Sequence, residues 1–140
     1  MKKVITTFIA ILGIVLLVGC RLNADKAELL DWMHSLNEDN IEVYFWSYDM
    51  ATEQLLSAKD AQTLMSIFAA INIENLTKNK ELAGSTPEYG LRLVVNEKSY
   101  YLIQADAPKG QCEISFHNKQ WWIESVELRK FMCSFLKEQK

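Results

Sequence analysis

The chain is 140 residues long, 49% hydrophobic and 11% aromatic, with 15 basic and 18 acidic side chains and a formal net charge of -3. That length suits one domain, and the apolar and aromatic content excludes a disordered or collagen-like chain. An acid excess with no basic tract argues against nucleic acid as a partner.

The first element is a targeting segment. Lys2 and Lys3 precede an apolar run from Val4 to Val18 that only Thr6, Thr7 and Gly13 interrupt. As a helix this run spans about 22 Å, short of the ~30 Å hydrocarbon core, so it reads as a signal-peptide core and not a permanent span. It ends in Leu17-Val18-Gly19-Cys20. Those four residues resemble the lipobox of bacterial lipoproteins. The resemblance implies a diacylglyceryl group on Cys20, cleavage after Gly19, and Cys20 as the mature N-terminus. The expected organisation is a signal peptide over 1–19, a lipidated end with a short linker over 20–24, and a single domain over 25–140. Localisation follows: the outer side of the cell membrane, held by the lipid anchor.

Loss of Lys2 and Lys3 leaves 13 basic and 18 acidic side chains, a balance of -5. Anionic lipid repels such a domain, so attachment is expected to rest on the acyl chains. Four linker residues reach at most about 14 Å, which keeps the domain close to the bilayer.

Downstream, the periodicity switches between helix and strand. Asp25 with Glu28 suggests a capping box, and Leu29, Trp32, Met33 and Leu36 share one helical face. Residues 41–49 alternate as a strand, with Ile41, Val43 and Phe45 on one face and Glu42, Tyr44, Trp46 and Tyr48 on the other. Ser57 and Asp60 open a helix with the stripe Ala61, Leu64, Met65, Phe68 and Ile71. Residues 73–77 suggest a short edge strand, and Gly84 to Pro87 a turn.

Two hairpins and a helix complete the chain. Strands over 91–96 and 99–105 are expected around Glu97-Lys98, and strands over 112–117 and 120–124 around Asn118-Lys119. The second turn would set Phe116 opposite Trp121, Ser115 opposite Trp122, and Glu113 opposite Glu124. Ser125 caps a last helix with the stripe Leu128, Phe131, Met132, Phe135 and Leu136. The expectation is an α+β domain, a curved antiparallel sheet with helices packed on one face.

Its inner face would carry Ile41, Val43, Phe45, Leu91, Leu93, Val95, Tyr100, Leu102, Ile114, Phe116, Trp121 and Ile123 beneath the second and third helices. The opposite face would carry Tyr44, Trp46, Tyr48, Arg92, Val94, Tyr101, Ile103 and Trp122, too aromatic for an ordinary solvated sheet face. Two readings stand. In one, the first helix covers part of this face as a second small core. In the other, Tyr44, Trp46, Tyr48, Arg92, Tyr101 and Trp122 form a partner-binding surface.

Cys112 and Cys133 are left as a possible disulfide or two free thiols. His34 and His117 are far apart, with His117 expected to be an exposed residue beside its turn. Glu113 and Glu124 are expected to be solvent-facing strand-end acids. No metal, cofactor or catalytic motif is present in the sequence, so the domain is expected to be non-catalytic. In element order it resembles small exported α+β domains of unknown function in Gram-positive lipoproteins, and more loosely TATA-binding-protein-like and β-lactamase-inhibitor-like modules. The expected role is capture of an extracellular protein, peptide or small ligand, in one version as an immunity or inhibitor lipoprotein. The alternative is a structural accessory subunit of a membrane complex or transporter.

Overall fold

A computed structural model describes residues 21, 23–49, 52–78, 88–104 and 111–137. Residues 1–20, including Cys20, lie outside them, as does the turn expected at 84–87. The elements are α1 (residues 23–35), β1 (Ile41–Ser47), β2 (Gln54–Leu55), α2 (Ala58–Ala70), a 3-10 turn at Ile73–Asn75, β3 (Leu76–Lys78), β4 (Tyr89–Val95), β5 (Lys98–Gln104), β6 (Gln111–Phe116), β7 (Lys119–Glu124) and α3 (Val126–Lys137). All strands belong to one antiparallel seven-stranded sheet ordered β2-β1-β4-β5-β6-β7-β3. This is the expected α+β class.

The two later helices begin as their sequences suggest. The Ser57 hydroxyl accepts from the Asp60 backbone N–H at 3.2 Å and donates to the Asp60 carboxylate at 2.6 Å, satisfying an otherwise orphaned donor of α2. Ser125 does the same for α3 by accepting from the Leu128 N–H at 3.2 Å. Their buried residues fall on the expected stripes: Ala61, Leu64 and Phe68 in α2, followed by Ile71, and Leu128, Met132 and Phe135 in α3. The core contains Phe45, Leu91, Leu93, Leu102, Ile114, Trp121 and Ile123 from the inner sheet face, all at or below 1% exposure. Each such side chain contributes about 2 kcal/mol by leaving water.

Helix α1 packs on this same face. Trp32 lies 4.6 Å from the Tyr100 ring and 5.1 Å from the Phe116 ring, both on the inner side, and Leu29 and Met33 are fully buried. The expectation that α1 covers the opposite aromatic face is therefore corrected. An apolar helical stripe demands burial but does not say against which surface. Inner-face residues at the hairpin end of the sheet, Tyr100 and Phe116, supply the cover that α1 needs. Two further ties hold it there. His34 Nε2–H donates to the Ile71 carbonyl at 3.0 Å, and Lys119 Nζ meets the Asp25 carboxylate at 2.6 Å. Helix α1 is already formed at residue 23, so Asp25 is an ion-pair partner inside it and not its cap, and the linker expected up to Ala24 is partly helical.

Both hairpins turn one residue earlier than expected. The turn residues are Asn96-Glu97 and His117-Asn118, each pair with both φ values positive (49° and 65°, 48° and 60°). That is the type I′ signature, whose twist matches the flanking strands and which favours Asn. Lys119 thereby enters β7, opposite Phe116. The register moves by two: Ile114 faces Trp121, Glu113 faces Trp122, and Gln111 faces Glu124. Glu113 and Glu124 do not oppose one another, and Glu113 is 5% exposed instead of solvent-facing. A shift of two keeps every side chain on its expected face. Strand β2 was not anticipated, since two residues carry no periodicity.

Candidate functional site

The side of the sheet that is helix-free among the described residues is the candidate site, and the strand register lays it out in rows. Leu55, Tyr44, Arg92 and Tyr101 form one row across β2, β1, β4 and β5. The row on one side of it is Glu42, Val94 and Ser99. On the other side, Trp46, Gly90, Ile103, Glu113, Trp122 and Thr77 run across β1, β4, β5, β6, β7 and β3. Thus Tyr44, Arg92 and Tyr101 are brought together. Trp46 and Trp122 share a row but stand four strands apart, about 19 Å at ordinary strand spacing. Tyr44, Trp46, Tyr101 and Trp122 therefore do not form one cluster: a first group gathers around Arg92, and a second, holding the two tryptophans, is spread along the longer row. Tyr48 follows the end of β1 and is 80% exposed.

Arg92 organises the first group. Its guanidinium stands 4.3 Å from the centre of the Tyr44 ring, a cation–π contact. Its Nε donates to both carboxylate oxygens of Glu53, at 2.9 and 2.8 Å, and Nη1 lies 3.5 Å from Ser99 Oγ. The Glu53 bond raises the Arg92 pKa further above its ordinary value. Tyr44 donates to Glu42 at 2.7 Å, and that bond raises the phenol pKa. Sequence reasoning missed Glu53: a pair separated by 39 residues leaves no local signal. Tyr101 is 49% exposed and Leu55 58%, so both offer apolar area to solvent.

The second group is more enclosed. Trp46 lies over Gly90: a Cβ on that glycine would stand 2.9 Å from Trp46 Cζ2 and 2.5 Å from the Leu102 carbonyl oxygen. The indole nitrogens of Trp46 and Trp122 are both shut off from solvent and have no hydrogen-bond acceptor among the described residues. Glu113, between Ile103 and Trp122 in the row, is buried.

A recess of about 560 Å³ opens at the end of the sheet beside the first group, lined in part by Glu38, Asp39, Glu42, Val94 and Glu97. A second, of about 440 Å³, adjoins Ser99, Tyr101 and His117. The exposed His117 ring stacks on Phe116 at 4.1 Å, and its Nδ1 is 3.3 Å from Glu28. On the helix side a groove of about 540 Å³ runs between α2 and the start of α3.

The cysteines take the unbridged alternative in this structure. Cys112 Sγ lies 3.6 Å from Met132 Sδ, while Cys133 Sγ shares a hydrogen bond of 3.0 Å with the Tyr89 hydroxyl. Burial pushes the Cys112 thiol up to about 12, so it is not a nucleophile at neutral pH. Burial and then the Cys133 bond raise the Tyr89 phenol as well. Among the described residues no group of three or more His, Cys, Asp and Glu is placed to hold a metal ion. No helix among them is long and apolar enough to cross a membrane.

No family model matches the chain, and no curated protein matches it. Among solved structures it is similar to a crystal structure named "Putative Lipoprotein from Clostridium perfringens", with a TM-score of 0.56 over 81% of this chain and 90% of that one. The two sequences are 11% identical, so the likeness is one of fold.

Proposed function

We propose that this chain is a lipid-anchored, extracytoplasmic protein whose domain binds a partner, without catalysis, through the helix-free face of its sheet. The targeting segment ending in Cys20 supports the anchor. The similar Clostridium perfringens fold, itself named as a lipoprotein, agrees with it. The observation that carries the binding reading is the placement of α1, α2 and α3, the helices among the described residues, on one side. That leaves Leu55 and Tyr101 exposed, with the half-buried Arg92–Tyr44 stack between them in one row. A sheet face meant only for solvent is polar, and exposed aromatic and aliphatic area of this kind marks contact surfaces. Tyr and Arg are also the residue types that dominate binding energy at interfaces.

Two measurements test the reading. Mass spectrometry of the membrane-bound protein should show a diacylated Cys20 as its first residue, and Cys20→Ala should abolish it; an unmodified Met1 start would overturn the anchor. A photo-crosslinking residue in place of Tyr101 should capture a partner in the native bacterium, whereas one at Gln62, exposed on α2, should not. Capture from Gln62 alone would move the binding surface to the helices. Tyr101→Ala should weaken the interaction by about 1–3 kcal/mol and leave the denaturation midpoint nearly unchanged, because half of the side chain is already in solvent.

A further inference from the structure

The charge around the uncovered row selects the sign of its partner. We propose that the part of the helix-free face formed by β1, β4 and β5 receives a cationic, amphipathic polypeptide segment. The inference rests on the binding reading of this face and adds the chemistry of the occupant.

Two properties of the surface coincide. First, it offers apolar platforms that nothing in the described structure covers: Tyr101, Leu55 and, at the end of β1, Tyr48. Second, carboxylates gather at one end of the surface. Glu42 stands on the face next to Tyr44, and Glu38, Asp39 and Glu97 line the recess that opens beside it. Among the described residues none of these four acids is in a salt bridge. The one cation in the rows, Arg92, is already held by Glu53 and spends its face on Tyr44. Among the described residues this end of the surface is therefore acidic beside an apolar platform; Arg92 is neutralised from within, and Lys98 lines the other recess, beside Tyr101.

That combination selects against the other candidate ligands. An anionic glycan or phosphate would meet four uncompensated carboxylates, and like charges brought together at an interface suppress binding. A neutral sugar would gain nothing from the acidic rim. A lysine or arginine side chain uses both properties at once, its aliphatic stem on Val94 and Tyr101 and its charged head at the carboxylates. The rows lie about 7 Å apart along the strands. The Glu42–Val94–Ser99 row, the Tyr44–Arg92–Tyr101 row and the Trp46–Ile103 row thus fall within about 14 Å, a length that four or five extended residues cover. Side chains on one face of an extended partner recur every second residue, so a basic residue at the Glu42 row followed by apolar ones at the next two rows fits that spacing.

The test uses the full lipidated protein in zwitterionic nanodiscs, with empty nanodiscs as the blank. A dye-labelled Lys-Ser-Leu-Ser-Leu peptide, which puts one Lys and two Leu on one extended face, is the probe and its Glu-for-Lys counterpart the control, both followed by fluorescence anisotropy. The Lys peptide should bind, its affinity should fall as salt is raised, and the Glu peptide should not bind. Glu42→Gln with Glu97→Gln should weaken the Lys peptide roughly five- to tenfold. Glu127→Gln, on α3, should leave it unchanged, and circular dichroism checks that each variant is folded. Equal binding of the two peptides, no binding of the Lys peptide, or an unchanged affinity in the double variant would overturn the proposal. If the crosslinker at Tyr101 still captures a partner while the peptides fail, the binding face stands and the cationic occupant falls. Should Tyr101 capture nothing as well, both fall.

Discussion

The Trp46 indole occupies the space that any side chain at residue 90 would need. It packs across β4 so closely that Gly90 alone among amino acids leaves room, and the Leu102 carbonyl closes the other side. The tryptophan is thus part of the sheet's construction as well as of its surface.

Gly90→Ala should therefore be costly. A methyl group 2.5 Å from backbone oxygen and 2.9 Å from the indole forces β4, β5 or Trp46 to move. Overpacking of this kind costs about 1–3 kcal/mol. Urea denaturation should show the midpoint falling with little change in slope. If Trp46→Ala is added, removing one of the two clashes, the double variant should lose less than the sum of the single losses.

Trp32→Ala tests the seating of α1. The indole is the helix's contact with Tyr100 and Phe116, and its removal should cost about 3 kcal/mol. Hydrogen exchange should rise first in α1 and leave the β4–β5 and β6–β7 amides protected. Uniform loss of protection would mean that α1 is not a separately seated element.

The Asp25–Lys119 pair gives a pH signature. Its hydrogen bond to Lys119, with the positive charges of Arg21 and Lys78 nearby, holds the Asp25 carboxyl below the ordinary carboxylate range. A lowered folded pKa stabilises the fold above the unfolded value of about 4. The contribution is lost as the pH falls through the lowered folded value. Lys119→Ala should return the Asp25 pKa, read by NMR titration, toward 3.8. It should also flatten the acid end of the stability profile. No movement of the Asp25 titration would show that the pair does not form in solution.

Thiol reactivity tests the cysteine arrangement. With its thiol pushed up to about 12 by burial, Cys112 should resist alkylation at pH 8 until the protein unfolds. Cys133, at the partly exposed side of α3, should react first. Because the folded Cys112 pKa is raised, its contribution to stability is complete below the ordinary thiol value of about 8.5. It disappears as the pH climbs toward 12. Absence of alkylation at both residues even after unfolding without reductant would reveal a bridge.

Local signals in the chain reached as far as caps, stripes and strand parity. Ser57 and Ser125 cap their helices because a hydroxyl three residues before an orphaned N–H is a short-range fact. Tyr44, Arg92 and Tyr101 fell on the right face because alternation survives a register error of two. Whether Asn96 and His117 close strands or open turns was beyond such signals, since either choice keeps the apolar pattern. Only the positive φ values of Asn96-Glu97 and His117-Asn118 and the reach of Lys119 to Asp25 distinguish them. Long-range choices were equally hidden. The stripe of α1 fits either side of a sheet with apolar residues on both, and the Glu53–Arg92 bond joins segments 39 residues apart.

The order of the strands bears on how such domains tolerate crowding. The seven-residue strands β1, β4 and β5 all lie inside the sheet, and its two margins are β2 and β3, of two and three residues. A margin that short presents few free backbone groups for a second copy to extend, which is how natural sheets avoid joining edge to edge. Lipid anchoring would confine many copies to a plane and keep them in constant lateral collision. Stunted borders let the proposed apolar face stay open under those conditions without the molecules zipping into ribbons.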